Sequence, residues 1–134
     1  MLGLLIADEN IDSRKQMAEL FIEAGYNVIV TNSAANALYG ILKKTAQVVL
    51  LGSQLDELTA TDLIPLLKKC DRNLTIILVS DDLSLSLIRK VRKEGIFYHA
   101  LKPVKPEDRE EIRLAVQCAF QNLASHQDVA AKTD

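Results

Sequence analysis

The chain has 134 residues, of which 49% are hydrophobic and 25% charged, and it carries a formal net charge of −2. That length suits one domain with its own core, and the near balance of charge gives no general attraction to nucleic acid or to an anionic membrane. Cys70 and Cys118 stand far apart without CxxC spacing and read as free thiols. The apolar start at residues 1–7 lacks a basic flank and is broken by Asp8-Glu9, far short of the ~20 residues of a membrane span, so a cytoplasmic location is expected.

Leu4-Leu5-Ile6-Ala7 is a continuous apolar run ending in an acidic corner, the pattern of a buried parallel strand that delivers carboxylates to its C-terminal end. Ser13 to Gln16 has capping-box spacing, and Met17, Leu20, Phe21 and Ala24 recur at helical intervals before Gly25. A second strand, 26–30, leads through Asn32 or Ser33 as cap to a helix with the apolar face Ala34, Ala37, Leu38, Ile41 and Leu42. The central strand is 46–51, closed by Gly52-Ser53 and a loop to Thr59. Leu63, Leu66, Leu67 and Cys70 predict a third helix that either starts late, near Thr61, or is kinked, because Pro65 removes a donor.

Leu74 to Val79 reads as a fourth buried strand ending in Ser80-Asp81-Asp82. Leu83, Leu87, Ile88 and Val91 give the face of a fourth helix closed by Gly95, with Arg89, Lys90, Arg92 and Lys93 where the helix dipole favours cations. A fifth strand, 96–101, ends in Lys102-Pro103. Pro106 then opens a last helix whose buried stripe is Ile112, Ala115, Val116, Ala119, Phe120 and Leu123. The alternation predicts an α/β fold: a doubly wound, five-stranded parallel sheet covered on both faces, as a three-layer sandwich. One domain spans residues 1–124, and 125–134, without periodicity, reads as a flexible tail or the start of a linker to an unseen output domain.

Parallel strands bring Asp8, Glu9, Gly52, Ser80 and Lys102 to one end of the sheet, where open α/β folds bind their ligands. The acidic pair after strand one, Arg14 beyond it, the hydroxyl after strand four and Lys-Pro after strand five resemble the receiver domain of bacterial response regulators, over about residues 1–123. The resemblance implies a flavodoxin-like strand order of 2-1-3-4-5 and assigns Asp8 and Glu9 to Mg²⁺. It assigns Ser80 to sensing a phosphoryl group, Lys102 to binding its oxygens, Lys102-Pro103 to a cis peptide, and His99 to the switch position usually held by an aromatic ring. Tyr98, one residue away, points to the opposite face.

Gly52 falls where that family has its phosphoacceptor aspartate. Hydrogen is no nucleophile, so the usual acyl phosphate cannot form, no catalytic residue is assigned, and Mg²⁺ binding is expected to be weak or lost. Lys102 is expected to face Asp8 or Glu9. The leading expectation is a phosphorylation-independent receiver-like module acting through protein contacts, as a homodimer or with a partner. Its contact face would combine the fourth helix, fifth strand and last helix, with Arg89, Lys93, Phe97 and Tyr98. Two alternatives are a small-ligand or anion sensor using the vacated pocket, and a receiver phosphorylated at a substitute acid such as Asp56.

Overall fold

The computed structural model describes residues 3–81, 89–90 and 92–133, with side chains as far as Ser125. Five parallel strands form one sheet: β1 (Gly3–Ala7), β2 (Asn27–Thr31), β3 (Val48–Leu51), β6 (Thr75–Ser80) and β7 (Tyr98–Leu101), in the order β2-β1-β3-β6-β7. A two-stranded hairpin, β4 (Gln54–Leu55) with β5 (Leu58–Thr59), interrupts the numbering. With the hairpin set aside, this is the predicted 2-1-3-4-5 order. β1, β3 and β6 are buried along their whole length, which is why their sequences are unbroken apolar runs.

The two sides of these strands serve two cores. Leu5, Val49, Leu51, Ile76 and Leu78 pack with Ala37 and Ile41 of α2 (Ala34–Leu42) and Leu63 and Leu67 of α3 (Ala60–Cys70). Leu4, Ile6, Leu50, Ile77 and Val79 pack with Met17 and Phe21 of α1 (Ile11–Glu23) and Ile112 and Val116 of the C-terminal helix, α4 (Pro106–Thr133). Each large aliphatic side chain so buried contributes about 1.5–3 kcal/mol. The predicted stripe on α4 is buried from Ile112 to Phe120, and Leu123 is partly so. The backbone stays helical to Thr133, through a stretch whose sequence reads as a tail.

Local chemistry sets the helix ends. α1 starts earlier than the Ser13 spacing suggests: Asn10 is the N-cap, its side chain accepts from the Ser13 N–H at 2.9 Å, and Ser13 lies buried in the first turn. Gly25, at φ +94°, closes α1 by donating to the Ile22 carbonyl at 3.0 Å, while Tyr26 N–H reaches Phe21 at 3.1 Å. Ser33 caps α2, and Pro65 lies inside α3, which begins at Ala60. The predicted apolar face of the fourth helix, Leu83, Leu87, Ile88 and Val91, lies outside the described residues. Positions 89–90 and 92–93 are helical, and Gly95 follows at φ +83°. Among the described residues no helix is long and apolar enough to cross a membrane.

Candidate functional site

Register brings the site together. Ala7 pairs with Leu51, Leu51 with Leu78, and Ser80 with Leu101, so the strands deliver Asp8, Gly52, Ser80 and Lys102 to one edge. The backbone continues the pairing: Gly52 N–H donates to the Ala7 carbonyl at 2.9 Å, and Lys102 N–H to the Ser80 carbonyl at 3.0 Å. Over these ends opens a cleft of about 720 Å³ whose lining includes Asp8, Glu9, Ser80, Asp81, Lys90 and Lys102. Gly52 does not line it.

Asp8 explains why. A Cβ built on Gly52 would lie 2.6 Å from Asp8 Cγ and 2.7 and 2.9 Å from its two carboxylate oxygens. The carboxylate therefore lies against the hydrogen face of the glycine, in the volume a side chain there would need. The space directly beside Gly52 is thus taken by Asp8, while the cleft lined by Asp8, Glu9, Ser80 and Lys102 stands open over the strand ends. Asp8 is 3% exposed, and its Oδ1 accepts from the Asn10 N–H at 3.0 Å. Its Oδ2 is buried and has no hydrogen-bond partner among the described residues. Arg14 Nη1 donates to the Asp8 carbonyl at 2.9 Å, fixing the turn that carries it. Burial holds the Asp8 carboxyl above its ordinary value, against the opposing pull of the Asn10 N–H, Lys102 and Arg14.

Lys102 is placed differently from expectation. Its Nζ lies 3.4 Å from Asp81 Oδ2, with the lysine side chain 14% exposed, so its ion pair is with Asp81 and not with Asp8 or Glu9. Asp81 follows Ser80 directly, and the Lys102–Ser80 backbone bond brings that carboxylate within reach. Lys102-Pro103 is trans, not cis, as are all described peptide bonds. The trans form is the intrinsically preferred one, by about 0.5–1 kcal/mol, and the Val104 N–H closes the turn onto the Lys102 carbonyl at 2.8 Å.

Ser80 and His99 meet on the diagonal, since the register pairs His99 with Leu78 and Ser80 with Leu101. Ser80 is buried, and its Oγ lies 2.7 Å from His99 Nε2 in a hydrogen bond between adjacent strands. Tyr98 points away, and its hydroxyl donates to Glu111 Oε1 on α4 at 3.0 Å.

Asp56 is drawn elsewhere. It begins the turn of the β4–β5 hairpin, with Asp56 at φ +51° and Glu57 at φ +67°, and its Oδ2 accepts from the Ala34 N–H at 2.6 Å. That carboxylate serves the positive N-terminus of α2 and is absent from the cleft lining. The sequence reading missed this hairpin, because Asp-Glu lacks the Asn-Gly or Asp-Gly signal of such turns.

The family resemblance implies Mg²⁺, and the residues present do not fit it. Mg²⁺ demands near-octahedral oxygen ligation. Here the Asp8 carboxylate is 3% exposed with both oxygens against Gly52 and Oδ2 buried, which leaves Glu9 as the exposed member of the acidic pair. Among the described residues no group of three or more His, Cys, Asp or Glu could hold a metal ion.

Among curated proteins none matches the sequence. The solved structures it is similar to include a response regulator receiver domain protein from Clostridium thermocellum, 19% identical with a TM-score of 0.80, covering 92% of this chain and 98% of that one. The signal receiver domain of an HD domain-containing protein from Pseudomonas fluorescens is 22% identical with a TM-score of 0.83, covering 95% and 92%. NtrX from Brucella abortus, solved in complex with ADP, is 20% identical with a TM-score of 0.84, and the match covers 97% of this chain but 30% of NtrX. These likenesses concern the fold. The response regulator receiver domain family matches residues 4–117, and with that match over a sheet of the right order the chain belongs to the receiver-domain family of signalling modules.

Proposed function

We propose that this receiver domain signals without phosphorylation, by docking to a protein partner or to a second copy of itself, with residues 1–124 as the functional unit ahead of any output domain. The observation that carries the reading is Asp8 against Gly52. Gly52 stands where the family places its phosphoacceptor, offers no nucleophile, and is shielded from the cleft by the Asp8 carboxylate. Asp56, the substitute acid, is committed to the start of α2.

The docking face is the exposed side of β7 and α4. Phe97, Tyr98, Val104 and Leu114, on or beside these elements, are exposed by 39%, 40%, 69% and 46% and are available for contact. Arg89 and Lys93 are exposed nearby in sequence, and the acidic first turn of α4, Glu107 and Asp108, gives the opposite sign for pairing between copies. The test is incubation of the chain with acetyl phosphate and Mg²⁺ followed by intact mass, alongside sedimentation of the wild type and a Tyr98→Ala/Leu114→Ala variant. No phospho-adduct, with self-association or partner binding weakened in the variant, is the expected result. A stable adduct would overturn the reading.

A second reading is favoured by the cleft itself, which at about 720 Å³ is large enough for a small molecule. Its lining sets Asp8, Glu9 and Asp81 beside Lys90 and Lys102, so a ligand there would meet charges of both signs. A thermal shift on adding a small zwitterion such as a free amino acid, or inorganic phosphate, in the absence of any partner, would favour this reading.

A further inference from the structure

We infer that Asp8 is a built-in occupant of the pocket, and that the glycine at position 52 exists to receive it. Glycine at the end of a strand is ordinarily explained by a backbone conformation that other residues resist. That explanation fails here: the positive-φ glycines among the described residues are Gly25 and Gly95, and Gly52 is not one of them. Its backbone suits any residue. What excludes a side chain is the Asp8 carboxylate, with three atoms inside 3.0 Å of the site a Cβ would take.

The closest of these atoms is Cγ, at 2.6 Å, so swinging the carboxylate tips aside does not clear the space. Asp8 would have to turn about χ1. That turn withdraws Oδ1 from the Asn10 N–H, 3.0 Å away at the N-cap of α1. Positions 8 and 52 are thus one unit, in which an acid on β1's end fills the gap left on β3's end. The same carboxylate decides what the cleft excludes, since neither a phosphoryl group nor a second carboxylate can settle against Gly52 while Asp8 holds that place. The inference deepens the proposed phosphorylation-independent reading and rests on it for its functional meaning, but its test is independent.

Urea unfolding of the full chain in four forms tests it: wild type, Gly52→Ala, Asp8→Ala and the double variant. Gly52→Ala alone overpacks the site and lowers the urea midpoint. In the Asp8→Ala background the same change lowers it by less than roughly half as much, because the obstructing carboxylate is gone. Should Gly52→Ala fail to fold, recovery of folding in the double variant is the supporting result, and failure of both variants overturns the inference. Equal losses in the two backgrounds, or no loss in wild type, also overturn it. A second readout is the Asn10 amide resonance of the wild type during MgCl₂ titration. It stays in place if Asp8 keeps its seat, and a saturating shift, with Asp8 drawn out to the cation, counts against the inference. A phospho-adduct in the mass experiment would sink the docking hypothesis while leaving the coupling of 8 and 52 intact, so the two failures are distinguishable.

Discussion

Asp8→Asn tests the electrostatics of the site most directly. The wild-type carboxylate is 3% exposed, one oxygen has no donor among the described residues, and burial raises its pKa above the ordinary 3.8. A buried acceptor left without a partner costs about 1–3 kcal/mol, and more when charged. Lys102 and Arg14 offset part of this, yet the pKa remains raised, so the surroundings as a whole disfavour the charge. An acid whose folded pKa exceeds its unfolded value binds its proton more tightly in the native state. The stability this confers is complete below the unfolded value and is lost as pH rises through the folded one.

Asparagine keeps an oxygen for the Asn10 N–H and drops the charge. Its amide NH₂ takes the place of buried Oδ2 at a cost that does not vary with pH, so the expected signature is a stability relative to wild type that is greater at pH 7 and declines as pH falls toward 3.8, a closing gap. The closing gap also measures the displaced pKa, at about 1.4 kcal/mol per unit. The assay is urea unfolding of both proteins at a series of pH values from 3.5 to 8, the range being about that of the carboxyl titration. A gap that is constant with pH, or that widens toward acid, would refute the claim that the pocket opposes the Asp8 charge.

Ser80→Ala removes the 2.7 Å bond to His99 from a buried position and should cost about 1 kcal/mol while moving the His99 imidazole resonances; unmoved resonances would mean the bond does not form in solution. Asp56→Ala strips the first turn of α2 of its 2.6 Å acceptor and should cost about 1 kcal/mol, with faster hydrogen exchange at Ala34 as the local readout and no change at the sheet ends. Gly52→Asp forces Asp8 out toward the cleft and supplies another carboxylate beside Glu9. Its thermal midpoint should rise on adding Mg²⁺ where that of the wild type does not, and equal responses would show that position 52 does not control metal binding.

The fold was legible in the sequence where one physical signal dominated. The runs at β1, β3 and β6 are apolar without alternation because each strand is buried on both faces, and the α4 stripe keeps helical spacing because one side packs on the sheet. The site was legible as a set of positions, since parallel register alone gathers Asp8, Gly52, Ser80 and Lys102. Its internal arrangement was not. The direction of the Asp8 carboxylate depends on one side-chain rotation and on room left by the glycine of a neighbouring strand, and neither has a local sequence signature. The pairing of Lys102 with Asp81 depends on which carboxylate the strand-end backbone brings to the lysine, and Asp81 follows the residue whose carbonyl Lys102 N–H reaches. At the start of α1 the Ser13–Gln16 spacing pointed too late in the chain, because the Asn10 side chain is the cap and accepts from the Ser13 N–H.

Tyr98 and His99 share one planar peptide unit, yet the first is tied to Glu111 on the outer helix and the second to Ser80 within the sheet. The last strand is therefore fastened twice over, to α4 through one side chain and to β6 through the next, so that contacts made at the tyrosine fall on the opposite side of the strand from the serine.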